Sequence, residues 1–488
     1  MHKKLIALLR TLSGIEQEKM LKFVQSPYFN EREDLSQLLA IILSFSPAFD
    51  ASECSPAAVF SALFPHRAFD KTALNKLNSS LFQLAEQFIV LEQLQQDPFE
   101  QIQFSLQFYT RKRLERHFEA KMRQVKSNYT KLQQGDPQRA RYQLTIEKQL
   151  AEWMISQDTR MGDVNLQLYN TALDEFFLLE KLSLLNAMIG RQKVINWTYE
   201  LSWVDEILAH LSAKDYPDWP AIGLLKQVLL LQKEPDQPQH YFQLKRLLKQ
   251  QAQHFPAMEL RGFFTYLENA AKNIFPISGY FEELFALYQE QLELGVLFQH
   301  GKIHHTLFKN IVLTGLELGH FAWIATFIKD HHGKIIPLTF RKDAYFQNLA
   351  NLHYYQKEYS EAQQLLLQTN PTDIYYKLSQ KSLLARIYFE NKELEVLNSF
   401  TNTFTKFIFD QKKKIAPAKV ESYRLFVNFL RKLCHLIEDH PDHIEAFYKD
   451  LPLPQFTAQN KLQQLKAQLD ASPVFYSKKW LLERVERM

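Results

Sequence analysis

Apolar side chains recur three and four residues apart along almost the whole 488-residue chain, and strictly alternating runs are rare. This spacing puts apolar residues on one face of an α-helix, whereas a half-buried strand would alternate at every second residue. Prolines interrupt helices, and here they separate the periodic segments at positions 98, 137, 217, 220, 235, 256, 276, 337 and 417. We therefore predict an all-α protein of about twenty helices with short connections.

Four positions carry signals for the start of a helix. Ser13 and Asn30 each stand three residues before a glutamate, the spacing of a capping box. Ser55 and Asn370 each precede a proline, which favours the first helical position.

The periodicity divides the chain into three regions. They are a helical N-terminal region at 1–96, a long-helix middle region at 99–275 and a repeat region at 276–488.

An internal repeat is visible in the third region. Residues 349–359 and 384–394 both begin with Leu-Ala and carry Lys-Glu at the same offset, at a separation of 384 − 349 = 35 residues. Self-similarity close to 34 residues is typical of a repeated helix-turn-helix unit. A weaker third copy is expected upstream, with Phe321 in place of Tyr359.

The first copy resembles the tetratricopeptide repeat, most clearly over about 340–410. Its large, small and aromatic positions are occupied by Phe346, Leu349, Ala350, His353, Tyr359, Ala362 and Leu366. The second copy departs from the pattern at Leu397, where a small residue is expected. The resemblance implies an α-solenoid of antiparallel helix pairs. The alternative is an irregular helical bundle with a chance match.

Residues 26–30, Ser-Pro-Tyr-Phe-Asn, also resemble the N-terminal region of a group of uncharacterised bacterial helical proteins. This likeness implies no activity.

Stacked helix pairs create a face lined by the first helix of each pair. In the tetratricopeptide family, side chains at particular offsets on these helices hold peptides. The matching positions here are Gln347, Asn351, Tyr354, Ser382, Arg386 and Phe389. Amide and guanidinium groups suit a peptide backbone or carboxylate, and aromatic rings suit apolar side chains. The alternative is that these six residues pack against the adjoining repeat.

The net charge of +4 is too small to indicate a nucleic-acid or membrane partner, but basic residues cluster locally. Residues 111–131 contain eight Lys or Arg and two Glu, a balance of 8 − 2 = +6. On one predicted helix at roughly 102–132, the basic stripe consists of Lys112, Arg116, Arg123 and Lys126. Leu114, Phe118, Met122, Val125 and Tyr129 form the opposite, core-facing stripe. A basic stripe can contact phosphates, although it is more often a solvated face.

The helices expected at about 56–64 and 70–90 could imitate a helix-turn-helix. The second of these helices carries only two lysines over 70–80, so base contact lacks support. A nucleic-acid-associated regulator that uses the N-terminal helices and the basic stripe is therefore our alternative function.

Motifs for chemistry are missing from the sequence: there is no Walker loop, GxGxxG, GxSxG, HExxH or paired CxxC. His435, Asp439 and His443 lie four residues apart, but Pro441 is expected to break the helix that would align them as metal ligands. We predict no enzyme activity, no cofactor and no metal, while an active site assembled in three dimensions stays open.

Two cysteines, Cys54 and Cys434, are too few for a disulfide framework and indicate a reducing compartment. No apolar stretch reaches the roughly 20 residues that span a bilayer. The sequence thus predicts a cytoplasmic, non-enzymatic scaffold that binds a protein or peptide and has no membrane partner.

Overall fold

The structure is a computed structural model that describes residues 3–49, 55–157, 162–192, 197–451 and 455–488. These residues form 24 α-helices, three short 3-10 helices and two strands of two residues each. The all-α prediction is confirmed. In the described part of the chain, no helix combines the length and apolar character needed to cross a membrane.

The chain divides into two compact units, residues 1–181 and 182–488. The first unit has one apolar core among α1–α5 and another among α6–α8. Its helices are α1 (Lys3–Leu9), α2 (Gly14–Gln25), α3 (Glu33–Leu43), α4 (Pro56–Leu63), α5 (Lys71–Gln96), α6 (Pro98–Lys112), α7 (Glu115–Tyr129) and α8 (Pro137–Ser156). The boundary between the units falls within α9 (Leu166–Gln192).

The second unit has a large apolar core from α11 to α19 and another from α19 to α24. Its helices are α10 (Val204–Ala213), α11 (Pro220–Lys233), α12 (Pro238–Gln251), α13 (Ala257–Ile274), α14 (Ile277–Glu293), α15 (His305–Glu317), α16 (Phe321–His331), α17 (Leu338–Tyr355), α18 (Tyr359–Leu367), α19 (Ile374–Glu390), α20 (Leu394–Gln411), α21 (Pro417–Glu438), α22 (Pro441–Tyr448), α23 (Gln455–Ala471) and α24 (Lys478–Arg487). The 3-10 helices are Ala252–His254, His332–Lys334 and Lys412–Lys414. The strands β1 (Ile303–His304) and β2 (Ile335–Ile336) pair in parallel.

Two of the four predicted helix starts are confirmed. Ser13 forms a full capping box at α2, and Ser55 accepts a backbone hydrogen bond at the start of α4. The prediction at Asn30 is wrong, because its amide side chain instead bonds the carbonyl of Val24 and the backbone N–H of Arg32 in a turn. The prediction at Asn370 is also wrong, since the carboxylate of Asp373 caps α19 three residues later.

The single basic helix predicted at roughly 102–132 is also wrong. Helix α6 ends at Lys112, and Arg113 adopts a left-handed conformation with φ of 54°. The backbone N–H of Leu114 then bonds the carbonyl of Tyr109, which closes α6 before α7 begins. Left-handed backbone usually requires glycine, so the sequence carried no obvious signal for this break.

Helices α17 to α20 pack on their neighbours: α17 contacts α18 and α19, and α19 contacts α20. Ala350 and Ala385, which are 35 residues apart, are fully buried. A third small residue, Gly315, stands 35 residues before Ala350. A Cβ atom at Gly315 would lie 2.6 Å from Cδ1 of Ile324, so the contact between α15 and α16 requires a glycine there.

Candidate partner-binding site

The six side chains predicted to hold a peptide are all buried, with none more than 8% exposed: Gln347, Asn351, Tyr354, Ser382, Arg386 and Phe389. Two of them bond to their own helices. The Asn351 amide donates to the Gln347 carbonyl at 2.9 Å, and the Ser382 hydroxyl donates to the Leu378 carbonyl at 2.8 Å. In this structure a separate peptide would not reach these groups.

Part of the burial of Phe389 is due to α24, which packs on this one of the six predicted peptide-binding residues. The Trp480 ring meets the Phe389 ring edge-on, with 5.4 Å between centroids. Next to Phe389, the carboxylate oxygen Oε1 of Glu390 accepts hydrogen bonds from the Trp480 indole N–H and from Nε of Arg484, both at 2.7 Å. The Tyr354 hydroxyl donates to the same oxygen at 3.4 Å. A single carboxylate thus anchors both an aromatic and a basic residue of α24.

A second carboxylate contacts the same helix from α15. Lys479 of α24 forms an ion pair with Glu317 at 3.2 Å, and the hydroxyl of Tyr355 donates a hydrogen bond to Glu317. Burial, followed by the charge of Glu317, raises the pKa of Tyr355, which therefore stays a neutral donor. We name the surface that receives α24 the acceptor face. Its residues are Glu317, Tyr354, Tyr355, Arg386, Phe389 and Glu390.

The segment that brings α24 to the acceptor face comprises residues 475–488, and its first two residues contact α21. Phe475 stacks on Phe429 with 5.5 Å between ring centroids, and the backbone N–H of Tyr476 donates to the Ser422 hydroxyl at 2.8 Å. Leu481 is fully buried. The connection from α23 is exposed, since Val474 is 93% accessible to solvent.

Arg386 is a buried cation that forms no ion pair with the described residues, although the charge of Glu317 acts on it. Its guanidinium lies over the Tyr354 ring, 4.5 Å from the centroid, and among the described residues no carboxylate oxygen lies within 4.0 Å of it. Its Nε has no hydrogen-bond partner there, and neither does Nη1 of Arg484. Burial works to lower the pKa of Arg386, but the net pKa is raised by four neighbours: Tyr354, Tyr476, Tyr355 and Glu317. The guanidinium therefore stays charged.

The basic stripe lies on the surface of the first unit. Lys112 ends α6, whereas Arg116, Arg123 and Lys126 are on α7, and all four side chains are exposed. The opposite stripe packs inward as predicted: Phe118, Met122 and Val125 are buried, and Leu114 and Tyr129 are half-buried. The four basic side chains make no ion pair with other described residues, so their charge faces solvent.

The candidate metal ligands do not form a cluster. Helix α21 ends at Glu438 and α22 begins at Pro441, so His435 and His443 lie on different helices. His443 is buried, and its Nδ1 lies 3.0 Å from the Leu436 carbonyl. No group of three potential ligands that could hold a metal ion occurs in the parts of the chain described above.

Of the two cysteines, Cys54 lies outside the described parts of the chain. Cys434 is buried, which raises the pKa of its thiol to about 12.

A polar cleft of about 280 Å³ lies among α13, α14 and α15. Its deepest charged group is Glu268, whose carboxylate accepts from Nη1 of Arg261 at 2.9 Å and from the Gln291 amide at 3.0 Å. Burial raises the pKa of Glu268, although both partners lower it. The other titratable groups of the lining are Tyr280 and Tyr288, and burial raises the pKa of both phenols.

Comparison with known proteins adds no relatives: no protein-family model, no curated protein and no solved structure matches this chain. The acceptor face must therefore be interpreted from its own contacts.

Sequence reasoning missed Glu317, Glu390, Trp480 and Arg484. A signal for the last two existed, because a tryptophan and an arginine four residues apart lie on one face of a helix.

Proposed function

We propose that the protein is a non-enzymatic scaffold that binds a helical segment of another protein through the acceptor face. In this proposal α15–α20 form tetratricopeptide-like antiparallel pairs of an α-solenoid, and the cytoplasm keeps the Cys434 thiol reduced. The observation that carries the proposal is the anchoring of Trp480 and Arg484 by the single carboxylate of Glu390.

Such anchoring is typical of protein–protein recognition. Amphipathic helices bind in grooves through a few side chains spaced three or four residues apart. Buried tryptophan and arginine residues supply much of the binding free energy in such interfaces. Here Trp480 is 7% exposed, and the side chain of Arg484 is 14% exposed. The acceptor face therefore has the chemistry of a helix-binding site.

The proposal is tested by affinity capture from nuclease-treated extracts of cells that make the protein. We name the full chain carrying Trp480→Ala and Arg484→Ala the release variant, because these changes remove both hydrogen bonds from α24 to Glu390. It should capture a partner more strongly than the wild type does. Adding Glu390→Lys to the release variant should abolish this increase in partner capture. Cross-links between the captured partner and the release variant should map to α15, α17 or α19. Capture that is equal in all three proteins would contradict the proposal.

A second candidate function rests on the exposed stripe of Lys112, Arg116, Arg123 and Lys126. Unpaired basic side chains on a helix can contact the phosphates of a nucleic acid. If the basic stripe binds nucleic acid, nuclease treatment should reduce the capture of partners from cell extracts. Binding to duplex DNA should weaken steeply as the salt concentration rises. Replacing Lys112 and Arg123 by glutamate should reduce the salt slope by about two. A slope that does not change would exclude a role for the stripe.

A further inference from the structure

A group of lysines lies where α19 begins, α20 ends and α21 begins. Residues 412–419 contain four lysines and no acidic residue, and they join α20 to α21 through the 3-10 helix Lys412–Lys414. Two further lysines lie in the first half of α19. We name these six residues the lysine cluster: Lys377, Lys381, Lys412, Lys413, Lys414 and Lys419.

Contacts between lysines and aromatic rings bring the three helices together at this cluster. Nζ of Lys419 on α21 lies 5.0 Å from the centroid of the Tyr375 ring on α19. Nζ of Lys381 on α19 lies 5.4 Å from the centroid of the Phe407 ring on α20. Helix α19 also packs on α20, and α20 packs on α21. The lysine cluster is therefore one surface built by three helices.

The positive charge of the cluster is not neutralised by the described residues. The four lysines of residues 412–419 are exposed, Lys377 and Lys381 are half-buried, and none of the six forms an ion pair with another described residue. Asp373 uses its carboxylate to cap α19. Burial lowers the pKa of Lys381, and the charge of Lys377 lowers it further. An anion from outside the chain would therefore be attracted to this surface.

Two aromatic rings beside these charges reach solvent. Phe409 is 63% exposed, and Nζ of Lys412 lies 3.9 Å from the centroid of its ring. Tyr375, which contacts Lys419, is 41% exposed. Sites for single-stranded nucleic acid combine the same two components, because bases stack on aromatic rings while cations follow the phosphates.

The composition of the cluster favours a nucleic acid over an acidic protein or a membrane. Protein interfaces are enriched in arginine, which pairs with carboxylates through two hydrogen bonds, and depleted in lysine. All six cations here are lysines. If Phe409 entered a bilayer, it would draw the ammonium group of Lys412 toward hydrocarbon, which is costly. A nucleic-acid strand supplies anions without removing Lys412 from water.

We propose that the lysine cluster, together with Tyr375 and Phe409, is a binding site for single-stranded nucleic acid. The ammonium groups contact phosphates, and unpaired bases stack on the two exposed rings. The site has little sequence preference, because each ammonium is a point charge and every base has a flat face. It is separate from the acceptor face, and it lies in the second unit, whereas the basic stripe lies in the first.

The experiment measures the fluorescence anisotropy of labelled oligo(dT) and oligo(U) of about 20 nucleotides, titrated with the full chain at several salt concentrations. Lys412→Glu combined with Lys419→Glu should weaken binding at least about tenfold. The slope of the logarithm of the binding constant against that of the salt concentration should shrink by about 1.4, since each phosphate contact to a single strand contributes about 0.7.

The matched control is Lys249→Glu combined with Lys329→Glu. These two lysines are exposed in the same unit and form no ion pair with other described residues, so the change in net charge is identical. The control should bind both oligonucleotides within about twofold of the wild type, because salt screens distant charges.

Base stacking is tested separately with Phe409→Leu, which keeps an apolar side chain but removes the ring. Binding should weaken about fivefold or more while the salt slope stays the same, because stacking on a ring does not involve phosphates. Phe409→Trp should retain the affinity. Since Phe409 is mostly exposed, all of these variants should melt close to the wild-type temperature.

The pattern of results decides the proposal. Binding of either oligonucleotide that depends on the cluster and on the ring supports it, and the tighter of the two distinguishes DNA from RNA. Equal weakening in the cluster variant and its control would overturn it, because only the net charge would then matter. Full affinity in Phe409→Leu, or binding to phosphatidylserine vesicles but to neither oligonucleotide, would also overturn it. None of these outcomes bears on partner capture by the acceptor face.

Discussion

Trp480 donates its indole N–H to Glu390 at 2.7 Å, across 90 residues of sequence. The bond joins α24 to α19. It accounts for part of the burial of Phe389, because the Trp480 ring beside Glu390 also lies against Phe389. Glu390 is therefore the residue whose substitution should separate the two helices.

Glu390→Ala should lower the free energy of unfolding by about 3 kcal/mol, because it leaves the Trp480 indole and the Arg484 guanidinium without their acceptor. Hydrogen exchange at the backbone amides of α24 should rise more than exchange in α19. Denaturant unfolding with mass-spectrometric hydrogen exchange measures both effects. Lys466→Ala is the control, because its partner Glu486 is also exposed. Unchanged protection of α24 in Glu390→Ala would contradict the anchoring role.

Gly315→Ala should destabilise the protein by about 1–3 kcal/mol through overpacking. The added methyl group would lie 2.6 Å from Ile324 and 3.1 Å from the Phe285 ring. Gly262→Ala in α13 is the matched control, because a Cβ there meets no atom within 4 Å. That control should be neutral or stabilise by up to about 1 kcal/mol, since alanine favours a helix over glycine. Equal melting temperatures for the two variants would refute the close contact at Gly315.

Asn351→Ala combined with Arg386→Ala should lower the free energy of unfolding by roughly 2 kcal/mol or more, because both side chains are buried. If the two residues were simply exposed ligand contacts, the double substitution would leave stability unchanged. Lys342→Ala on the exposed side of α17 serves as the control. Chemical denaturation of the three proteins decides between a buried and an exposed position.

His305 should make stability depend on pH. Burial lowers its pKa below the ordinary 6.5, and the nearby positive groups His304 and Lys309 lower it further, although Asp373 opposes them. The unfolded chain therefore takes up a proton at a higher pH than the folded chain does. Stability should be highest above pH 6.5, fall as the pH drops below that value and level off below the lowered pKa.

His305→Asn should make this acid loss of stability smaller, as measured by melting temperatures between pH 7.5 and 5. His300→Asn, at an exposed position, should melt with the same pH dependence as the wild type. An identical pH dependence in His305→Asn would show that the buried ring does not contribute.

The helices themselves were largely predictable because apolar periodicity and caps are local properties. Ser13 and Ser55 cap helices as their spacing indicates. The break at Arg113 was not predictable, because a residue other than glycine adopts the left-handed backbone between α6 and α7. Gly315 could have been found, since it extends the series of small residues at Ala350 and Ala385 by another 35 positions.

The acceptor face was only half predictable. The repeat pattern grouped Tyr354, Arg386 and Phe389 by their helical offsets, and in the structure the Arg386 guanidinium lies over the Tyr354 ring. It could not reveal that Trp480 lies against Phe389, since a contact across 90 or more residues depends on the path of the whole chain. Local patterns predict which side chains share a face, and only the tertiary structure shows what that face contacts.

The exposed turn at Val474 has a quantitative consequence for any partner of the acceptor face. A helix tethered by a short flexible connection acts as a ligand at an effective concentration of roughly 1 mM. A free helix of equal intrinsic affinity at about 1 μM would then hold only about one face in a thousand. To hold half of them it needs about 1,000-fold tighter binding, or roughly 4 kcal/mol. Because of this tether, a partner displaces α24 from the acceptor face only if it binds much more tightly than α24 or is locally concentrated.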